Sequence, residues 1–150
     1  MSVDLLADSI DLRRGIITEA LSWLTTPWRH QGDIKGVGVD CGKLIYKVYR
    51  QFNLVPEVDV PCYSRQWMLH RDDDEMLAWA RRIGFIVTDT PKPGDVAIWK
   101  IGRTYSHAAI IIDWPRFIHA DANVGFVLPS NLMDCWFSDK PVIFLTRFKD

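Results

Sequence analysis

One cysteine of this sequence stands where a thiol can act as a nucleophile. Cys41 directly follows Asp40, a natural helix N-cap, and opens an amphipathic stretch. At the first turn of a helix, unpaired backbone N–H groups and the helix dipole stabilise a thiolate, and the same N–H groups can receive an oxyanion. The position therefore predicts a lowered thiol pKa and a nucleophilic role. The alternative is a small buried residue, the commoner fate of a free cysteine.

The other two cysteines have no such setting. Cys62 follows a proline and Cys135 precedes Trp136, and we expect both to be structural. The sequence has 3 cysteines, and its first residues lack the basic and apolar regions of a signal peptide. We therefore expect no disulfide framework and synthesis in the cytoplasm.

Two histidines could serve such a nucleophile. His107 opens a predicted apolar strand, and His119 lies twelve residues later in the next one. If the two strands form a hairpin centred near Asp113, the even spacing places both imidazoles on one face and roughly opposite each other. One could then act as a base and the other as its orienting group. Each histidine alone is more often structural, but together with Cys41 the pair favours catalysis.

Phosphate and metal sites are less well supported. The glycine-bearing segment 36–44 fails as a phosphate loop, because Val37 stands where a glycine is needed and Leu44 where a hydroxyl is needed. The dinucleotide spacing fails as well. The acidic run 72–75 lacks the ligand spacing of a calcium loop and is interpreted as a helix start. No C-x-x-C or H-x-x-x-H pair occurs, so we expect neither a metal nor a cofactor.

The elements that would position these residues are helical in the first half of the chain and extended in the second. Proline and glycine positions, cap residues and apolar periodicity define each one. A first helix is predicted to begin near Ser9 or Asp11, to bury Ile17, Ala20, Leu21 and Leu24, and to end before Pro27. A second helix is predicted over 41–52, and a third starts in the acidic run 72–75 and extends to Ile83. Strands are predicted over 85–87, 96–101, 106–112, 117–120, 125–128 and 142–148.

Helices followed by strands predict an α+β fold, with the helices packed on an antiparallel sheet or small barrel. The 150 residues fit a single domain, residues 1–150. The composition, 48% hydrophobic and 25% charged with a net charge of −1, is that of a globular protein and gives no support to nucleic-acid binding. The longest apolar run, 108–112, is far shorter than the roughly 20 residues of a membrane span.

Five short motifs follow one another along the chain. They are Thr26-Pro27-Trp28, Asp40-Cys41-Gly42, Pro93-Gly94-Asp95-Val96, Ser106-His107-Ala108-Ala109-Ile110 and Phe117-Ile118-His119-Ala120. In this order they resemble the NlpC-type cysteine peptidases, which are papain-like enzymes that cut the peptide stems of bacterial cell walls. Stretches 28–32 and 63–67 resemble the phage and gene-transfer-agent branch, whose members act in tails. The resemblance implies a papain-like fold with the nucleophile at a helix N-terminus.

Carried over by position, the resemblance implies that Cys41 is the nucleophile, His107 the general base and His119 the group that orients it. The implied reaction is hydrolysis of peptidoglycan stem peptides, between D-glutamate and a diamino acid. Without a signal peptide, such an enzyme is expected to reach the wall with a phage tail or particle, or after lysis. Tail proteins are the expected partners of the first route.

The resemblance also implies substrate contacts by Trp28, Asp40 and Ser106, of which Asp40 could meet a free amine. Two positions depart from the family pattern. Trp28 replaces a tyrosine near the oxyanion, and Gly42 replaces a serine, so two hydroxyl contacts are lost. Of the other tryptophans only Trp67 is a further candidate for substrate binding, and we favour a core position for it.

Two other functions remain open at the level of the sequence. One is a structural tail-tip or assembly protein that keeps the fold without turnover. The other is amidase or acyltransferase chemistry with the same cysteine and histidines.

Overall fold

A computed structural model of the chain describes residues 3–58 and 75–149. Several sequence predictions fall outside these ranges and are not addressed by the structure. They are the acidic residues 72–74, the branch motif at 63–67, and the roles of Cys62 and Trp67.

The helices of the described ranges are α1, Ile10–Leu21, α2, Cys41–Arg50, and α3, Glu75–Arg82. α2 confirms the predicted start, because it begins at the nucleophile candidate with Asp40 as its N-cap, and most of its apolar stripe is buried. It ends at Arg50, two residues earlier than predicted. α3 ends as predicted, just before Gly84, which has a φ of +110°.

The buried face of α1 differs from the prediction. Ser9 caps the helix, but the buried residues are Arg13, Ile16 and Ala20, while Leu21 is 42% exposed. The predicted stripe is wrong because a charged residue occupies the buried face. Arg13 can lie there because its guanidinium bonds two carboxylates, and a periodicity defined by apolar residues alone misses it.

Among the described residues, six strands form one sheet. They are β3, Ile86–Thr88, β4, Val96–Ile101, β5, Thr104–Asp113, β6, Arg116–Asp121, β7, Phe126–Asn131, and β8, Val142–Thr146. They pair antiparallel in the order β3-β8-β4-β5-β6-β7. The prediction of an α+β fold with an antiparallel sheet is confirmed, and β4 to β7 form the predicted meander.

Two short strands, β1 (Asp33–Ile34) and β2 (Gly38–Val39), form a hairpin in the segment predicted to be a loop. Residues 25–29 join this hairpin to the large sheet. Thr25 donates a backbone hydrogen bond to a carbonyl of β7 at 2.9 Å, and Val39 of β2 donates to the Pro27 carbonyl at 3.0 Å. This backbone pairing holds the N-terminus of α2 near the strands that carry the histidines.

Each face of the sheet carries a hydrophobic cluster. The larger one unites α1, α2 and α3 with strand residues such as Ile98, Ala108 and Ile110. The smaller one, on the opposite face, is built around Trp99 and Phe137. From Ala108 to Ile111, successive residues of β5 alternate between the two clusters, so the strand that carries His107 is anchored on both sides.

Candidate active site

The N-cap residue that precedes the nucleophile candidate accepts two backbone hydrogen bonds. Asp40 is 3% exposed; its Oδ1 accepts the Lys43 N–H at 2.9 Å, and its Oδ2 accepts the Gln31 N–H at 2.8 Å. The first bond caps α2, and the second ties the cap to the turn before β1. Cys41 is therefore fixed relative to two separate backbone segments.

The Cys41 thiol meets the strand that carries His107. Its Sγ donates to the Ser106 carbonyl at 3.6 Å. The Ser106 side chain points elsewhere, since its hydroxyl donates to the Ile101 carbonyl at 3.3 Å. The backbone of Ser106 and not its hydroxyl is thus the group that meets the nucleophile.

The expected lowering of the Cys41 thiol pKa is wrong. Burial raises the pKa of the Cys41 thiol to about 12, and the charge of Asp40 acts in the same direction. Backbone N–H groups of Ala108, Gly42 and Cys41 itself oppose this rise, as a helix N-terminus should. Desolvation outweighs them because the thiol lies in a cavity where a thiolate loses its hydration.

The two histidines contact each other directly. His107 Nε2 lies 2.8 Å from His119 Nδ1, and the two rings are nearly perpendicular at 77°. The shared face is as predicted, but the residues are diagonal neighbours, because Ile110 pairs with Ile118 and so Ala109 stands across from His119. The hairpin turns at residues 114–115, later than the predicted centre at Asp113, and a β-bulge between Ile111 and Asp113 then shifts the register by one residue.

Burial keeps both imidazoles neutral. It lowers the pKa of His107 to about 3, with a further contribution from the proximity of His119. It lowers the pKa of His119 to about 4, against the opposing charge of Asp121. The site therefore holds a neutral thiol and two neutral imidazoles at pH 7.

Aromatic rings fix the orientation of the histidines. The Phe137 ring centroid lies 5.0 Å from that of His107 and 6.0 Å from that of His119. Trp99, which is fully buried, lies 5.8 Å from His107 on the same face of the sheet. These contacts leave the imidazoles little rotational freedom, so their polar partners determine how they act.

Ser130 is a site residue that the sequence analysis missed. Its Oγ lies 2.9 Å from His119 Nε2, on the far side of the ring from His107. The sequence carries little signal for it, because the strand predicted over 125–128 ends two residues before Ser130, whereas β7 extends to Asn131. The register of β6 and β7, which pairs Phe117 with Ser130, decides the contact, and that register could not be assigned from spacing alone.

Cys41 and His107 line one cavity of about 360 Å³, a size suited to a peptide side chain or small ligand. The three residues predicted to contact substrate, Trp28, Asp40 and Ser106, line it as well. Trp136, which is 55% exposed, forms part of another wall and had no predicted role. His119 does not line this cavity and lies behind His107 without solvent exposure.

Within residues 3–58 and 75–149, no cluster of three His, Cys, Asp or Glu side chains is arranged to hold a metal ion. None of the helices found there has the length and apolar character needed to span a membrane.

The chain was compared with protein-family models and with curated proteins. The sequence model of the NlpC/P60 family matches residues 25–140, a range that includes the cysteine, both histidines and Ser130. No curated protein matches the chain.

Solved structures share the fold at low sequence identity. The NlpC/p60 domain of the peptidoglycan hydrolase SagA superposes with a TM-score of 0.58 at 21% identity, covering 87% of this chain and 96% of that one. The peptidoglycan hydrolase RipB of Mycobacterium tuberculosis gives a TM-score of 0.57 at 18% identity, covering 93% and 66%. An NLP/P60 family protein of Staphylococcus aureus gives 0.62 at 18% identity, covering 100% of this chain but only 46% of its own.

Proposed function

The chain belongs to the NlpC/P60 family, and from that premise we propose that it is a cysteine peptidase acting on the stem peptides of peptidoglycan. The observation that carries the proposal is the cavity shared by Cys41 and His107, with His107 bonded at 2.8 Å to His119. SagA and RipB are peptidoglycan hydrolases, which favours the same substrate class here.

The reaction begins from a neutral pair. His107 Nε2 is engaged by His119, so Nδ1 is the nitrogen left to accept the thiol proton. The thiol turns from the Ser106 carbonyl, and its Sγ attacks the peptide carbonyl carbon while His107 takes the proton. General-base catalysis of this kind needs no stable thiolate, which agrees with the raised pKa of Cys41.

The acyl-enzyme then forms and is hydrolysed. Backbone N–H groups at the start of α2 stabilise the oxyanion, and His107 passes its proton to the leaving amine as the C–N bond breaks. Water, deprotonated by the same imidazole, attacks the thioester, and the proton returns to the Cys41 sulfur as it leaves. One peptide bond and one water are consumed, and the enzyme is regenerated.

The cavity walls suggest how a stem peptide is held. Trp28 and Trp136 offer apolar surface, and the Ser106 backbone lies at the floor near the nucleophile. Both Asp40 oxygens already accept backbone N–H groups, so contact with a substrate amine would add to its capping role. Cleavage between D-glutamate and a diamino acid is part of the proposal on the strength of the family resemblance.

Association with a phage tail, and delivery to the wall by that route, stay predictions from the motifs of the sequence.

The two other functions are distinguished from the peptidase by turnover. A structural tail protein releases nothing from the wall, and an amidase or acyltransferase of other substrates leaves stem peptides intact.

The test is release of soluble fragments from purified peptidoglycan, followed by chromatography and mass spectrometry. We expect the wild type to release stem-peptide fragments and Cys41→Ala to release none, with both proteins equally folded by circular dichroism. Equal release by the two would contradict the assignment of Cys41, and no release by the wild type would favour the structural alternative.

A further inference from the structure

We propose that Asp121 is a specificity-determining residue that binds the side-chain ammonium group of the diamino acid in the substrate. The proposal rests on the proposed function, because that function supplies a substrate with a second amine next to the scissile bond. The observation that carries it is a single carboxylate oxygen, Asp121 Oδ2, at the wall of the cavity that holds Cys41.

Three aspartates are buried in the described part of the chain, and two of them have both oxygens bonded. Asp40 accepts two backbone N–H groups, one on each oxygen. Asp95 accepts the Arg13 guanidinium on Oδ1 at 3.0 Å and the Lys92 N–H on Oδ2 at 2.9 Å. Burying a carboxylate is costly unless hydrogen bonds or a counter-charge replace its hydration, and these two residues meet that requirement.

Asp121, the third buried aspartate, uses only one oxygen. It is 9% exposed, and its Oδ1 accepts the Asn123 N–H at 2.8 Å, which stabilises the turn between β6 and β7. Within residues 3–58 and 75–149, Oδ2 accepts no hydrogen bond and the carboxylate forms no salt bridge. A carboxylate that is nine-tenths buried and only half satisfied points to a cationic ligand.

The position of Asp121 suits the residue that carries the leaving amine. Asp121 lies two residues beyond His119 on β6, about 7 Å further along the strand and on the same face. In the proposed reaction His107 gives its proton to the α-amine of the diamino acid, so this residue of the substrate is held beside the histidines. Its second amine, on a flexible carbon stem, can then reach Asp121 Oδ2.

The charge of the cavity favours a cation. Its described lining residues include two aspartates, Asp40 and Asp121, and no lysine or arginine. Two carboxylates in a cleft with apolar walls attract an ammonium group and repel a carboxylate. Because both oxygens of Asp40 already accept hydrogen bonds, Asp121 is the one with an oxygen available for the substrate.

A second cavity, of about 610 Å³, gives the substrate room beyond Asp121. Asp121 and Trp136 line both this cavity and the one that holds Cys41. Its walls also include Arg116, but this exposed guanidinium lies 3.7 Å from Asp113 and forms no salt bridge with Asp121. The residues that follow the diamino acid can therefore continue into the second cavity while the amine stays at Oδ2.

An ammonium site at Asp121 distinguishes free stems from cross-linked ones. Cross-linking of peptidoglycan converts the side-chain amine of the diamino acid into an amide, which carries no charge. We therefore expect stems with a free side-chain amine to be the preferred substrates.

The alternative role for Asp121 is support of the histidine pair. Its charge raises the pKa of the His119 imidazole, so its removal alters the base as well. Such an effect is the same for every substrate. Discrimination between substrates with and without the amine therefore separates ammonium binding from support of the base.

Calorimetric binding to Cys41→Ala, which lacks the nucleophile, tests the proposal. Two synthetic tripeptides contain L-alanine, γ-linked D-glutamate and either L-lysine or L-norleucine, which lacks only the side-chain amine. We expect the lysine peptide to bind roughly 10- to 100-fold more tightly. Asp121→Asn in the same background keeps Oδ1 for the turn and removes the charge, so the two peptides should then bind equally.

Asp134→Asn is the matched control. It removes the same charge from an exposed residue that lines the second cavity but not the cavity of Cys41, so the preference for lysine should remain. A lysine peptide acetylated at its N-terminus tests the other amine of the stem, and Asp121→Asn should not change the effect of that acetylation. Equal binding of the lysine and norleucine peptides by Cys41→Ala, or a preference for lysine that survives Asp121→Asn, would overturn the proposal.

Hydrolysis by the protein with Cys41 intact distinguishes this proposal from the proposed function. Cleavage of stem peptides without any preference for lysine would overturn the ammonium site and leave the peptidase assignment standing. A preference for lysine in binding that depends on Asp121, in a protein that hydrolyses no stem peptide, would do the reverse.

Discussion

At the scale of single residues, the site is a neutral thiol beside a neutral pair of imidazoles. Burial raises the pKa of Cys41 to about 12 and lowers that of His107 to about 3. Deprotonating the Cys41 thiol and protonating the His107 imidazole would each create a charge that is poorly hydrated in the site. The thiolate–imidazolium ion pair is therefore not the resting state. Reactivity then depends on the geometry of proton transfer, and this is why the orientation of His107 matters.

The chemistry-bearing residues could be selected from the sequence because their types are distinctive and their neighbours define motifs. The structure brings Cys41, His107 and His119 together as the sequence predicts. Ser130 could not be selected, because a serine on a strand has many possible partners and only the pairing of β6 with β7 sets this one. The direction of the thiol pKa could not be predicted either, because burial is a property of the assembled cavity.

Substrate affinity should depend on an exposed side chain of the cavity wall. Trp136→Ala removes a ring that is 55% exposed, so the fold should be retained while apolar contact with substrate is lost. We expect KM for a stem-peptide substrate to rise several-fold, roughly 3- to 30-fold, with kcat nearly unchanged. Steady-state kinetics on a synthetic stem peptide measure both constants.

Met133→Ala is the matched control for this change. Met133 is 80% exposed in the same turn and lies outside the residues that line the cavity. The Met133→Ala substitution should leave KM and kcat at their wild-type values. Equal effects of the two substitutions would show that the loop, and not the ring of Trp136, determines affinity.

At the scale of elements, the cap of α2 couples stability to activity. Asp40→Ala removes the acceptors of two backbone N–H groups, those of Lys43 and Gln31. We expect the free energy of unfolding to fall by about 1–2 kcal/mol, and hydrolysis to fall more than stability explains, because Cys41 is the next residue. Thermal melts and initial rates on the same preparation provide the two values.

Ser9→Ala is the control for this prediction. Ser9 caps α1 through its hydroxyl, which accepts a backbone N–H at 3.2 Å, and α1 contributes no residue to the cavity that holds Cys41. Its loss should destabilise the protein by about 0.5–2 kcal/mol and leave the rate at 25 °C intact. If both variants lost activity equally, the proposed coupling through Asp40 would be wrong.

Elements with a strong local signal were predictable, and those without one were not. α2 and the six strands of the sheet carry caps, turns and apolar runs that specify them. β1 and β2 have two residues each, too few to show a periodicity, and only their pairing defines them. The predicted buried face of α1 was wrong because Arg13 lies on the buried side, where it bonds to Asp95, a residue distant in the sequence.

At the scale of the whole molecule, buried arginines tie distant segments together. Arg13 donates to Asp8 at 2.6 Å and to Asp95 at 3.0 Å, which joins the N-terminal segment and α1 to the turn before β4. Arg147 donates to the carbonyls of Leu54, Gly84 and Asp4 at 2.7, 2.8 and 2.9 Å. The bonds from Arg13 to the Pro93 carbonyl and to Asp95 give the Pro93-Gly94-Asp95 motif a structural explanation that needs no catalytic role.

Stability should fall in mild acid because of the buried imidazoles. Above pH about 6.5, His119 is neutral in both folded and unfolded states and contributes no pH dependence. Below that, the unfolded chain binds a proton that the folded protein excludes until pH about 4, so the free energy of unfolding decreases as the pH falls. The slope approaches about 1.4 kcal/mol per pH unit for one proton.

The difference between the wild type and His119→Gln isolates this effect. The variant has no titrating group at this position, so its free energy of unfolding should depend less steeply on pH between 6.5 and 4. Urea titrations at a series of pH values measure both slopes. Identical slopes would mean that His119 is protonated in the folded protein, contrary to its full burial.

The central claim is that Cys41 forms a covalent bond to the peptidoglycan stem during turnover. The most direct measurement is mass spectrometry of the protein, quenched in acid during hydrolysis of a purified stem peptide and digested for peptide mapping. We predict an added mass equal to the acyl part of the substrate on the peptide that contains Cys41, and no such mass after Cys41→Ala. Hydrolysis with an adduct on another residue, or without dependence on Cys41, would contradict the account.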